Sequence, residues 1–233
     1  FEFCDLNDSD KLNSLFKKYL PDAVVHFGGV SIVSESFIDP SKYYLNNVLG
    51  TVNLLDAMVE NKCKKIIFSS SAAVYGDPEY LPIDENHPKK PINPYGKSKL
   101  MVEQILEDFD KAHGLKYIVF RYFNAAGHDL DGELMERHDP ETHLMPLIIK
   151  AATEENEVVE IFGTDYDTSD GSCIRDFVHV EDLCDAHLKG LELLLDSTEE
   201  VISDVFNLGS SKGFSVKEVI SNVKELLNVD FKV

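Results

Sequence analysis

The chain has 233 residues, 43% of them apolar, enough for one large domain or two small ones around a substantial core. Its 42 acidic against 22 basic side chains give a net charge of −20, which repels nucleic-acid backbones and anionic lipid surfaces. Four scattered cysteines, with no C-x-x-C pair and no histidine at ligand spacing, argue against a metal site or a disulfide scaffold and for a reducing cytoplasm, and no run approaches the roughly 18 apolar residues that span a bilayer.

The opening Phe1-Glu2-Phe3-Cys4 reads as a strand in progress without an initiating methionine or signal-peptide form, so the chain is expected to be a fragment. Ser9 or Asp10 is placed to cap a helix carrying Leu12, Leu15, Phe16 and Tyr19, closed by Pro21. Residues 23–27 form a continuous apolar run ending in Gly28-Gly29, the pattern of a strand buried on both faces of a parallel sheet. A long helix is expected over 40–61 and a second buried strand over 65–71, ending in Ser69-Ser70-Ser71. Five prolines within 76–94 mark a long loop.

The next helix starts at Pro94 with Asn93 as its cap and Val102, Ile105, Phe109 and Ala112 as its inner stripe, and a strand follows over 117–123. The sum is β-α-β-α-β-α-β, a doubly wound, Rossmann-like α/β sheet with right-handed crossovers. Residues 128–143 lack a clean period and leave the sheet. Beyond them are expected a helix over 144–152, a strand over 158–162, an acidic loop over 163–171, a helix over 183–195, a strand over 205–209 and a helix over 215–227. The expected division is a dinucleotide-binding domain over 1–125, to which the chain crosses back near 158–183, and a smaller α/β substrate-binding region over 126–233.

Doubly wound sheets bind ligands at the carboxyl ends of their strands, here Asp5, Gly28, Gly29, Ser69, Ser70, Ser71 and the Tyr122-Phe123-Asn124 step. The helix after the serines carries Tyr95 and Lys99, four apart and therefore on one face, about 6 Å apart along the axis. An ammonium beside a phenol lowers its pKa, making Tyr95 a candidate base near neutral pH.

These residues, together with Tyr43-Tyr44-Leu45-Asn46-Asn47-Val48, Ser71-Ala72-Ala73-Val74-Tyr75-Gly76, Pro94-Tyr95-Gly96-Lys97-Ser98-Lys99, Arg121-Tyr122-Phe123-Asn124, Leu144-Met145-Pro146 and Arg175-Asp176-Phe177-Val178-His179-Val180, resemble the extended short-chain dehydrogenase/reductases, and within them the branch that epimerises nucleotide sugars. The resemblance implies interconversion of UDP-glucose and UDP-galactose by transient oxidation at the sugar C4, with NAD bound tightly as a prosthetic group. It implies Tyr95 as catalytic base, Lys99 as the lysine that tunes it and holds the nicotinamide ribose, and Ser71 as the hydroxyl beside the reacting oxygen. Cofactor contacts so implied are Asp5, Leu6, Phe27, Gly28, Gly29, Asn46 and Phe123; substrate contacts are Asn124, His143, Leu144 and Arg175, alongside Ser71 and Tyr95. A homodimer through the 40–61 helix and the one beginning at Pro94 follows from the same resemblance.

The departures are specific. No G-x-x-G-x-x-G occurs among the 13 glycines, so the phosphate-cradling turn is absent from these residues, and the fragment is expected to bind NAD weakly. The family's closing segment is missing as well. Ala73 stands where many members have threonine, Ser31 replaces a common lysine, and His143 a common asparagine. Two other readings stand beside the epimerase. A dehydratase or decarboxylase of the same superfamily would need an Asp-Glu pair where Ala72-Ala73 stand. The other is a non-catalytic binding module that keeps the fold.

Overall fold

The apolar runs become a four-stranded parallel sheet of order β1-β2-β3-β6, from β1 (Val24–His26), β2 (Lys65–Ser71), β3 (Lys116–Tyr122) and β6 (Asp204–Leu208). These positions come from a computed structural model, which describes residues 1–154, 157–196 and 203–233. Side chains alternate across a strand, and both faces here are covered. Ile66, Phe68, Tyr117 and Val119 pack with the helices α1 (Ser9–Tyr19), α4 (Gly50–Glu60) and α5 (Pro94–His113). Ile67, Ile118 and Phe120 form the opposite core with Leu194 of α7 (Val180–Leu195). No helix of the described residues is long and apolar enough to cross a membrane.

The chain separates into two units. The first comprises Phe1–Tyr122 and Cys184–Leu208, the second Phe123–Leu183 and Gly209–Val233. The return to the first unit therefore falls later than the expected 158–183, because Leu194 on α7 and Phe206 on β6 belong to the core around Phe120. In the second unit β4 (Asn124–Ala126) pairs in parallel with β5 (Ile174–His179), which pairs antiparallel with β7 (Gly213–Ser215). Ile148 and Ala151 of α6 (Leu144–Thr153) share its core with Val159 and with Val219 and Ile220 of α8 (Val216–Leu227), whose start is closed by a Ser215–Glu218 capping box.

Five expectations are corrected. Residues 1–4 form no strand: Phe1 and Phe3 are exposed, packed edge to face on each other and paired with no neighbour. An extended segment without a ladder partner is not a strand. The 40–61 helix is three pieces, α3 (Pro40–Tyr43), a π-helical turn (Tyr44–Leu49) and α4, and it is preceded by an unforeseen helix α2 (Val33–Ile38). The widened turn accompanies buried Asn47, whose amide bonds both the N–H and the carbonyl of Val30 and the Ser98 hydroxyl. The 158–162 strand reduces to one bridge between Val158 and Lys232, since Val159 is consumed by the α6–α8 core. In the α5 stripe Leu106 is buried and Ala112 exposed, one turn having been assigned to the wrong side. Asp8, one residue ahead of the expected caps, caps α1 by accepting from the Lys11 amide.

Gly96 in the first turn of α5 is a close-approach position: a Cβ there would lie 2.4 Å from the Ala73 carbonyl oxygen, in the 3-10 turn that follows β2. Alanine normally gains up to about 1 kcal/mol over glycine in a helix, whereas forced overpacking costs about 1–3 kcal/mol. Gly96→Ala is therefore expected to lower the thermal unfolding midpoint; an unchanged or raised midpoint would show that α5 does not depend on that contact.

Candidate active site

α5 begins where β2 ends. Asn93 is buried at the cap, its side-chain oxygen accepting from the Gly96 N–H at 2.7 Å, and Pro94 occupies the first helical position. Tyr95, Lys99 and Glu103 then follow at intervals of four, on one face of the helix. Three consecutive serines at the end of β2 each meet one of them. Ser71 stands beside the Tyr95 hydroxyl and acts to lower its pKa, the Lys99 Nζ donates to the Ser69 carbonyl at 2.8 Å, and the Ser70 hydroxyl donates to Glu103 Oε1 at 2.6 Å. Ser71 also accepts from the Ala73 N–H at 3.1 Å, which turns the chain out of the strand.

The electrostatics differ from the sequence expectation. Burial pushes the Tyr95 phenol above its ordinary value, with the neighbouring Ser71 side chain pulling the other way. The Lys99 ammonium is spent on the Ser69 carbonyl and lies over two rings, 5.0 Å from the Phe68 centroid and 5.8 Å from that of Tyr95. It is not shown lowering the phenol. Burial also lowers Lys99 itself to about 8. His26, at the end of β1, is lowered to about 4 by burial and by the Lys99 charge; its Nε2 meets the Thr51 hydroxyl at 2.8 Å.

Beyond His26 the strand runs into bare backbone. Gly29 has φ +149°, and a Cβ there would strike the Asn47 amide oxygen at 2.8 Å, so this step accepts only glycine without strain. Phe27 is exposed, its ring 4.9 Å from that of His187. Asn46 is half-buried in the π-helical turn, donating to the Lys42 carbonyl. Asp5 is exposed and accepts from both the backbone and the side chain of Asn7, while Leu6 packs against the first unit's core and its carbonyl receives the Asn53 amide.

In the second unit, half-buried Asn124 donates to the Asp176 carbonyl at 2.8 Å, fixing β4 on β5. Phe123 lies beside Gly209. Arg175 is exposed on β5, donates to the Ile174 carbonyl and makes no ion pair among the described residues. Leu144 opens α6 and joins the second core. His143 is held by Glu141 at 2.8 Å and Glu136 at 3.0 Å. With His138 these residues form a group whose ligating atoms lie within 4.8 Å of one another, which the sequence spacing did not suggest.

Sequence reasoning missed the polar network under the site. Arg121 and Glu103 form a fully buried bidentate pair, Arg121 also donates to the Tyr75 hydroxyl at 2.8 Å, and Tyr75 donates to Asn207 at 2.6 Å. On the other face of the sheet the Tyr122 hydroxyl joins Ser69 and His187. Tyr75, Arg121 and Tyr122 stand inside the motifs already singled out, whereas Glu103, at the next i+4 step after Lys99, offered only its spacing.

The model of the NAD dependent epimerase/dehydratase family matches residues 1–209. The UDP-glucose 4-epimerase of Halalkalibacterium halodurans is 47% identical over 95% of this chain, which spans 66% of that protein. The crystal structure of UDP-glucose 4-epimerase from Brucella ovis in complex with NAD superposes with a TM-score of 0.89 at 46% identity, over 97% of this chain and 68% of the other. The Bifidobacterium longum UDP-glucose 4-epimerase in complex with NAD+ and UDP gives 0.92 at 38%, over 99% and 69%. The chain thus spans about two thirds of the length of its relatives.

A lysine whose folded pKa lies near 8 against an ordinary 10.5 binds fewer protons folded than unfolded between those values. Stability from this group is lost as pH falls through 8 and rises from about pH 8 to 10.5. The difference in unfolding free energy between the wild type and Lys99→Met should climb over that window in denaturant titrations at a series of pH values; a flat difference would show that Lys99 is not desolvated.

Proposed function

This chain belongs to the NAD dependent epimerase/dehydratase family, and we propose that its protein interconverts UDP-glucose and UDP-galactose by transient oxidation at the sugar C4. The observation that carries the reading is the convergence of Tyr95 and Lys99, one turn apart on α5, on the serines that end β2, Ser71 lowering the Tyr95 phenol and Lys99 donating to the Ser69 carbonyl. A carbinol gives up its hydrogen as hydride only if its hydroxyl proton leaves too, so a base must stand against that oxygen. Tyr95 is that base, with Ser71 as relay or hydrogen-bond partner. Burial disfavours the phenolate it must become, a cost that the Ser71 hydroxyl partly offsets. Below about pH 8 Lys99 keeps its proton and its bond to the Ser69 carbonyl.

The carboxyl end of β1 suits a dinucleotide: Gly28 and Gly29 present backbone without side chains, and Phe27 exposes an aromatic face. Phe27, Gly28, Gly29, Asn46 and Lys99 would hold NAD, with Asp5 and Leu6 towards its adenine and Phe123 as a further contact. When bound, NAD supplies the hydride acceptor and a cationic ring. Because the hydride comes back to the opposite face of C4, no net oxidation results, and the cofactor stays with the protein.

Asn124, Leu144 and Arg175 are assigned to the nucleotide sugar. Arg175, unpaired in so acidic a chain, suits the diphosphate. His143 would join it only on release from Glu136 and Glu141. The first unit is thereby the dinucleotide domain and the second the sugar-nucleotide domain. Exposed Leu45 and Leu49 in the π-helical turn and Met101 on α5 support a homodimer through these helices, and the four free cysteines suit a reducing cytoplasm.

The protein expressed from its complete gene should convert UDP-galactose to UDP-glucose without added reductant and release NAD on denaturation. Tyr95→Phe should lower kcat by about a hundredfold or more while leaving UDP-hexose affinity near that of the wild type. Equal turnover in that variant would remove Tyr95 from the mechanism, and absence of both conversion and released nucleotide would leave a binding module.

A further inference from the structure

Glu103 is a buried carboxylate that no step of the proposed reaction uses. It sits one helical turn beyond Lys99 and two beyond Tyr95 on the same face of α5. Arg121 Nε donates to Oε1 at 3.0 Å and Nη2 to Oε2 at 2.7 Å, with the two side chains 2% and 3% exposed. Ser70 and Arg121 are themselves directly opposed in the β2–β3 register. One carboxylate therefore straddles a cross-strand pair one residue before Ser71 and Tyr122, where both strands end.

A buried ion pair is weak evidence for stability. Taking two charges out of water costs about what their attraction returns, and apolar residues of similar volume often serve as well. What the bidentate fork adds is direction, since it is satisfied in one geometry only. Apolar contacts from Val102 and Leu106 hold α5 on the sheet but carry no direction that would fix its position along the strands. A sliding helix would carry Tyr95 away from Ser71.

We propose that Glu103, through Arg121 and Ser70, is a positioning residue that fixes the Tyr95 hydroxyl against Ser71 for proton transfer. The inference rests on the epimerase reading. It assigns Glu103 no contact with substrate or cofactor.

The test separates position from stability. In Ser70→Ala/Glu103→Leu/Arg121→Met neither a charge nor the serine hydroxyl is left stranded, so the protein should unfold near the wild-type temperature. Its kcat should nevertheless fall by about ten- to a hundredfold, with KM for UDP-galactose within about threefold of the wild type. A stable variant with wild-type kcat overturns the proposal. Should the triple variant fail to fold, Arg121→Lys decides: it keeps the charge and loses the fork, and unchanged kcat there is equally fatal. If the wild type itself shows no epimerase activity, the functional reading fails separately, and the position of Tyr95 is read from its near-ultraviolet phenolate titration, taken as the difference from the Tyr95→Phe form of each protein. Moving Tyr95 away from Ser71 should shift that titration upward; an unmoved titration overturns the proposal.

Discussion

A helix packed on the face of two parallel strands shares no backbone hydrogen bonds with them, so side chains alone decide where it sits. In this protein that decision falls to the contacts of α5. Val102 and Leu106 supply apolar burial, a large term without direction. Gly96 lets the first turn come down on the Ala73 carbonyl, and the Asn93 cap fixes where that turn begins. Glu103 then meets Arg121 and Ser70 in one orientation. Misplacing a reacting group by about 1 Å can cost two orders of magnitude in rate, so these contacts matter more for chemistry than their share of stability suggests.

The same closeness that positions Tyr95 also works against it. Burial raises the phenol and lowers Lys99 to about 8, because a dry environment disfavours the phenolate and the ammonium alike. The simple picture of a lysine tuning a tyrosine by proximity therefore needs amending. Lys99 hydrogen-bonds the Ser69 carbonyl and lies over the Phe68 ring, and the group shown lowering the phenol is Ser71. The charge that Lys99 contributes is a field over the end of β2, which also reaches buried His26.

Legibility in the sequence followed how local each signal was. β2 and the start of α5 were readable to the residue, since the run 65–68 is apolar from Ile66 on before the serines and Asn93-Pro94 is a local start signal. The four-residue spacing of Tyr95 and Lys99 was legible for the same reason. Phe1-Glu2-Phe3 alternates like a strand yet has no ladder partner, and pairing is a tertiary fact. The π-helical turn kept an apolar stripe close enough to helical period to hide its extra residue. Glu103 was invisible as a functional residue because a glutamate at i+4 from a lysine on a helix reads as a surface pair. Only the strand register, which sets Arg121 opposite Ser70, makes it an internal ligand.

Net charge bears on the proposed function, since on that reading a chain with 42 acidic residues has to admit a doubly charged nucleotide sugar. Screening weakens the long-range repulsion to within about 10 Å at moderate salt, which leaves the outcome to the nearest groups. Most basic side chains near acidic ones are already engaged: Lys17, Lys18, Lys42, Lys90, Lys116, Lys150 and Lys224 all pair with carboxylates, and Arg121 is committed internally. Arg175 is not, and its neighbour Asp176 is turned to the backbone and hydroxyl of Ser210 and the backbone of Ser211 rather than to the guanidinium. That arrangement keeps one planar fork of donors available in the second unit. An exposed arginine without a carboxylate partner among the described residues is suited to the diphosphate of the proposed nucleotide sugar.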